Sequence, residues 1–317
     1  MTQRAQGRSD RTGQGIVIIL ASVLTMAFAD AVIKHVSTDL SVWQIFVCRS
    51  LIAIPVLIGA LRVTGRRFAM HAPIWVVLRS GLLVLSWIAF YTSLSVLDLS
   101  VAAVAIYTNP ILTALMSAEL IKEPVGALRW AGVALGFVGV VAILRPGTEA
   151  FSWITLLPLL AAALYSLSMV LTRSKCQDET PMVLALSLHS AFLITGLIAT
   201  LGLIVLGLPT AVQDIFPFVL GGWSGMTPTT WGLMAGLGIL SALYFMGVAR
   251  AYQIAPPAII GTFDYAYLIS AALWGYLFFS ETPGPLTILG MILITCAGLL
   301  VAAPSPKQSA RTAQTAR

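Results

Sequence analysis

The chain has 317 residues, of which 58% are hydrophobic and only 9% are charged. A soluble fold of this length carries about 25% charged residues to clothe its surface, so a water-soluble domain is excluded. The net charge of +6 does not point to nucleic acid, because the positive residues fall between apolar runs rather than in a patch.

Ten apolar runs follow one another at about 15–36, 41–61, 73–93, 100–120, 128–145, 153–172, 182–205, 229–248, 257–279 and 285–303. A membrane-crossing helix needs roughly 20 apolar residues, and runs 128–145 and 285–303 are close to that minimum. The runs are continuous, without the alternation of membrane strands, so the fold class is an all-α membrane protein. Cys48, Cys176 and Cys296 are scattered with no CxxC pair; they read as small apolar core residues, and neither a disulfide nor a metal site is implied.

The loops set an orientation. Arg4, Arg8 and Arg11 precede span one, and alternate loops carry Arg62, Arg66 and Arg67, then Lys122 and Arg129, then Arg173 and Lys175, then Arg250. The tail adds Lys307, Arg311 and Arg317, making fourteen on one side against Lys34 and Arg145 on the other. Lys/Arg excess marks the cytoplasmic face, so both termini are expected there, in a bacterial inner membrane. One competing reading is a secretory signal, with Ala27-Phe28-Ala29 as its cleavage site. Removing span one would break the alternation of charge. The longest loop, about 207–228, has no Lys or Arg and is expected outside.

The order of small matches suggests a repeat. Arg79-Ser80-Gly81 in span three is echoed by Met234-Ala235-Gly236 in span eight, Glu123-Pro124 by Glu281-Thr282, Gly132 by Gly290, and Arg49-Ser50 by His189-Ser190. Each pairs span n with span n+5. Five is odd, so the halves insert with opposite sense, an arrangement common among secondary transporters. The expected layout is a tail 1–14, a five-helix half 15–145, a linker 146–152, a second half 153–303 and a tail 304–317.

Tyr91-Thr92-Ser93-Leu94, Ala102-Ala103, Asn109-Pro110 and Glu123-Pro124 resemble the motif string of EamA-type members of the drug/metabolite transporter superfamily. Phe263-Asp264-Tyr265 through Ser280-Glu281 resembles the matching stretch of a second copy. The resemblance implies ten helices in two inverted five-helix repeats, a cavity lined by spans 1–4 and 6–9, and spans five and ten behind it. It also implies secondary transport by alternating access, with export as its usual direction. The second half has no proline matching Pro110.

Ionisable groups inside spans cost about 2.5–3.5 kcal/mol each on insertion scales, so those present are candidate sites. Asp30 and Lys34 are four apart and can pair on one helix face. They form an outer ion pair, or Asp30 serves as a gate or protonatable site. Arg49 lies ~12 Å in from the outer face with no acidic partner evident at its depth. It is therefore a candidate for a substrate carboxylate, or else it bonds a carbonyl freed near Pro110. Arg79 and Asp264 share a depth ~10 Å from the inner face and have opposite charge, which suggests a bridge between the halves or a substrate or proton site. His189, at similar depth, is either a ligand group or a hydrogen-bonded packing residue.

Asn109-Pro110 interrupts span four and frees backbone groups for a ligand or a hinge. Trp87, Tyr91, Tyr165, Tyr244, Tyr265 and Tyr267 sit within spans and suit a flat or amphipathic solute. Gly132, Gly136 and Gly139 allow close helix contact or a homodimer.

The chain has no phosphate-binding Gly-x4-Gly-Lys-Ser/Thr loop and no HExxH. The expectation is therefore a transporter and not an enzyme. It would move an amino-acid-like or other amphipathic solute without a cofactor, with protons as the candidate coupling ion. The alternatives are an importer of a vitamin or nucleoside-like cofactor on the same fold, and a membrane-embedded enzyme or lipid-handling protein. Reporter fusions after Arg317 and within 221–225 should report opposite faces; a shared face would refute ten spans.

Overall fold

The computed structural model describes residues 11–65, 68–106, 108–120, 127–144, 153–255, 257–264 and 266–302. Every regular element among them is a helix. Several start on proline, whose missing N–H costs nothing in a first turn: α3 (Pro73–Leu94), α8 (Pro181–Leu206) and α11 (Pro228–Ile254). Ser41 caps α2 (Val42–Val63) by accepting from the Gln44 N–H. α8 ends at Gly207, whose φ of 54° closes the last turn in the left-handed region.

With α1 (Thr12–Val36) and α7 (Leu157–Ser174), these make six helices long and apolar enough to cross a membrane among the described residues. A short 3-10 turn, Trp153–Leu156, leads into α7. The other expected spans fall on shorter pieces. Span four is divided into α4 (Leu99–Ile106) and α5 (Asn109–Leu120), with a turn at Thr108. Pro110 sits in the first turn of α5, where it forfeits no hydrogen bond, and Thr108 O accepts from the N–H groups of Ile111 and Leu112. Span five is α6 (Ala127–Leu144), and span ten is α14 (Pro285–Ala302). Span nine comprises α12 (Pro257–Asp264) and α13 (Ala266–Phe279), on either side of Tyr265. The loop 207–228 holds two single-turn helices, α9 (Thr210–Gln213) and α10 (Pro217–Leu220).

Tyr265, Glu123-Pro124, the linker 146–152 and the positive residues Arg4, Arg8, Arg66, Arg67, Lys122, Arg145, Lys307, Arg311 and Arg317 lie outside the described residues. α1 runs unbroken through Ala27-Phe28-Ala29, with Ala27 and Ala29 fully buried, so the signal-like stretch is an integrated part of the bundle.

The helices pair as α1 with α11, α2 with α8, α3 with α7, and α6 with α14. The α6–α14 pair meets the rest through α4, α5 and α12. Gly136 of α6 faces Ile111 and Ala297, so this part of the glycine stripe is used within the chain. Exposed side chains such as Ile269, Ile198 and Leu201 are apolar, whereas Asp30, Arg49, Arg79, His189 and Asp264 are buried. This is the order expected when the outer solvent is hydrocarbon. Of the cysteines, Cys48 and Cys176 are buried, but Cys296 is exposed, contrary to its reading as a core residue, because its face of α14 turns outward.

Two glycines let α8 and α11 close on α2. A methyl at Gly196 would stand 2.9 Å from Trp43 O, and one at Gly238 would stand 2.8 Å from Arg49 O and 2.7 Å from Ile52 Cβ. Gly238→Ala should therefore lower thermal stability by about 1–3 kcal/mol, the usual cost of overpacking, whereas Gly236→Ala, which meets nothing within 4 Å, should not. Equal unfolding midpoints in detergent would contradict the close approach.

Candidate functional site

The centre of the bundle is organised by one tyrosine. Arg49 Nη1 of α2 donates to Tyr91 Oη of α3 at 3.0 Å, and Tyr91 Oη donates to Asp30 Oδ1 of α1 at 3.3 Å. Tyr267 Oη of α13 donates to Asp30 Oδ2 at 2.8 Å. Four helices thus converge on one buried cation and one buried anion, both fully shielded. The expected Asp30–Lys34 pair does not form, because each finds a better partner elsewhere. Arg49 does have an acidic counterpart, reached through Tyr91, which spacing along single helices could not show. The alternative of a carbonyl near Pro110 for Arg49 is not what the structure shows.

The Arg49 guanidinium lies among ring faces. Its Cζ is 4.5 Å from the centroid of Phe192, 5.3 Å from Phe46, 5.5 Å from Tyr91 and 6.0 Å from Phe245, all within cation–π range. Trp87 adds to the same wall, 5.0 Å from Tyr91 and 5.6 Å from Phe245 between centroids. Tyr244 lies 4.4 Å from Phe245. His189 packs on Phe192 and Phe245, and its Nδ1 is 3.4 Å from Ser50 Oγ. Arg49 and His189 therefore contact the same rings, although their estimated depths differed.

Beside this wall, Met26, Asp30, Ser86, Trp87, Phe90, Ile106, Asn109, Tyr165 and Tyr267 line a narrow cleft. Only about 10 Å³ of it admits a water-sized sphere, room for a single water. Arg49 Nε and Nη2, Trp87 Nε1 and Asn109 Oδ1 are buried without a hydrogen-bond partner. The guanidinium thus keeps two unmet donors among ring faces that already pack on it.

Of the sequence candidates, Asp30, Arg49, Trp87, Tyr91, Asn109, Tyr165, His189 and Tyr244 are gathered at this centre. Arg79 and Asp264 do not pair with each other. Arg79 Nε donates to Thr172 Oγ1, and Asp264 Oδ2 accepts from Tyr252 Oη at 2.6 Å. The two face different neighbours. Pro110 lies in the first turn of α5. Phe46, Phe192 and Phe245 were missed, since a phenylalanine in an apolar run carries no distinguishing mark.

Both ends of the bundle are tied. At the end where α1 finishes, Lys34 Nζ meets Glu281 Oε1 at 2.9 Å and donates to Leu97 O, while the Leu99 N–H donates to Glu281 Oε2 at 2.9 Å. At the opposite end, Glu179 Oε1 accepts from the N–H groups of His71 and Ala72 at 2.6 and 2.7 Å, capping α3. There Gln253 of α11 donates to the carbonyls of Cys176 and Glu179.

Residues 13–145 match the EamA-like transporter family. An EamA-like transporter domain thus covers residues 13–145, and the similar proteins are transporters of the drug/metabolite superfamily. Among relatives, it is 31% identical to a riboflavin transporter of Rhizobium johnstonii over 68% of this chain and 65% of that one, so the alignment spans somewhat under two thirds of that relative. An S-adenosylmethionine uptake transporter of Rickettsia prowazekii is 24% identical over 90% and 92% of the two chains. The pseudopaline exporter CntI of Pseudomonas aeruginosa is 22% identical over 91% and 95%. A solved crystal structure at 20% identity superposes with a TM-score of 0.62 over 93% of this chain and 98% of the other, which speaks to the fold alone. The protein is thus a multi-pass membrane protein.

Removing the Tyr91 hydroxyl would leave Arg49 Nη1 and Asp30 Oδ1 without their bonds, at about 1–3 kcal/mol for each buried group left unmade. Tyr91→Phe should lower the thermal midpoint accordingly, and Tyr276→Phe at an exposed position should not. Indistinguishable midpoints would remove Tyr91 from its linking role.

Proposed function

We propose that this protein is a secondary transporter of the bacterial inner membrane that takes up a flat, heteroaromatic, cofactor-like metabolite by alternating access. The observation that carries the reading is the aromatic wall around Arg49, whose Nε and Nη2 are buried and unpartnered. A ring system with acceptor atoms on one edge matches both features. The riboflavin and S-adenosylmethionine relatives carry flat heteroaromatic rings, which favours the vitamin or cofactor alternative over an amino-acid-like solute. Export is the second reading, favoured by the pseudopaline exporter.

The reading uses two inverted five-helix halves, 15–145 and 153–303, with both termini cytoplasmic. Support comes from the helix pairing. Exchanging span n with n+5 turns the α1–α11 contact into the α3–α7 contact and leaves α2–α8 and α6–α14 unchanged. The Lys34–Glu281 cluster then acts as the outer gate and the Glu179–Gln253 cluster as the inner gate. Asp264, buried with Oδ1 unpartnered and no ion pair among the described residues, is the candidate proton carrier. Asp30 and Lys34 keep a gating role on separate partners, and Pro110 marks the hinge of span four.

Uptake of labelled flavins, nucleosides and amino acids into proteoliposomes, with and without a pH gradient, tests this. A heteroaromatic solute should be transported, Arg49→Ala should abolish transport in a folded protein, and Arg49→Lys should reduce it about tenfold by losing the planar fork. Asp264→Asn should remove stimulation by the gradient. Full transport by Arg49→Ala would reject the site.

A further inference from the structure

The Tyr91 relay accounts for only one of the two buried arginines. Arg79 is 2% exposed, and its Nε is held by Thr172 Oγ1 of α7, while Nη1 has no hydrogen-bond partner. Among the described residues no carboxylate forms an ion pair with it. Glu179 is committed to the Ala72 amide, about 10 Å away along α3 at 1.5 Å per residue, and Asp264 is committed to Tyr252. No ring face covers the guanidinium among the described residues, in contrast to Arg49. An arginine does not lose its proton in a protein, so this is a permanent cation with no ion-pair partner among the described residues, an arrangement that is favoured when something else supplies the negative charge.

We propose that Arg79 is an anion subsite on the inner side of the central site, taking a carboxylate or phosphate group. The inference rests on the transporter reading of the central cavity and adds the charge class of the ligand. Position supports it. Arg79 lies ~9 Å from the start of α3, and Trp87 lies ~12 Å further along the same helix, so the subsite stands between the cavity and the inner face. Tyr165 joins the two: it lines the cavity and lies within electrostatic reach of Arg79. The Thr172 bond holds Nε and leaves Nη1 without a partner, a charged donor of the kind arginine offers oxyanions.

The anion has two sources, a free inorganic ion or the anionic group of the transported solute, and two arms separate them. In the first, purified protein in detergent is heated at constant ionic strength in chloride, acetate or inorganic phosphate. For a free ion, acetate or phosphate raises the wild-type midpoint by several degrees, Arg79→Lys loses most of the shift, and Arg49→Gln keeps it. In the second, proteoliposomes are given a carboxylated or phosphorylated heteroaromatic solute and its neutral analogue. For a solute-borne anion, Arg79→Lys transports the charged member at least tenfold more slowly and the neutral member at the wild-type rate. Thr172→Val, which keeps the guanidinium but frees its Nε, behaves between the two in whichever arm responds. The proposal is overturned if wild type and Arg79→Lys respond alike in both arms, or if Arg49→Gln rather than Arg79→Lys loses the anion response. Absence of any heteroaromatic transport would sink the central-site reading and leave the thermal arm to decide this one.

Discussion

The cost of holding charge away from water governs this fold. A cation and an anion in hydrocarbon must find each other or be solvated by the protein, and the hydroxyl of Tyr91 bridges Arg49 and Asp30. That bridge requires α1, α2 and α3 to meet at one depth, and Tyr267 adds α13. The apolar residues supply no such instruction, since in lipid they are satisfied facing outward. Helices that are apolar all round are sorted by their few polar residues and by the small residues that let backbones approach. Gly196 and Gly238, on two different helices, both open space against α2 within a few turns of Arg49.

The two tied ends have different chemistry. Around Lys34 the link is ionic, and one carboxylate holds both an ammonium group and the N–H at the start of α4. Around Glu179 the carboxylate caps a helix, and a neutral amide, Gln253, makes the cross-link to α11. An ionic tie responds to local charge and dissolved salt more than an amide tie does. The two faces therefore need not open under the same conditions.

Much of the architecture could be read before any coordinates. Continuous apolar runs gave the succession of helices, and the ionisable residues noted inside them, Asp30, Arg49, Arg79, His189 and Asp264, are buried. Partner choice was not legible. Lys34 turned to Glu281, almost the whole chain away, and Asp30 turned to tyrosines on α3 and α13, because a pairing across helices depends on rotation and tilt. The periodicity of a uniformly apolar segment does not encode either. The three phenylalanines around Arg49 were invisible for the same reason: in lipid, a phenylalanine that binds a cation and one that greets an acyl chain look alike in sequence. Arg79 and Asp264 were matched on depth alone, and depth is one coordinate of three.

The close seating of α2 has a mechanical consequence. By chain order α2 belongs with α1 and α3, but its backbone is pressed onto α8 and α11, from the other half of the sequence. Its contact with α3 is slight by comparison. A motion that parted the first half of the chain from the second would have to prise α2 out of two interlocked grooves. Sliding α3 and α7 together past α2, α8 and α11 disturbs fewer of these contacts. The most heavily packed groups of helices are therefore drawn from both halves of the chain, and the hydroxyl of Tyr91 links α3 to α1 and α2 across them.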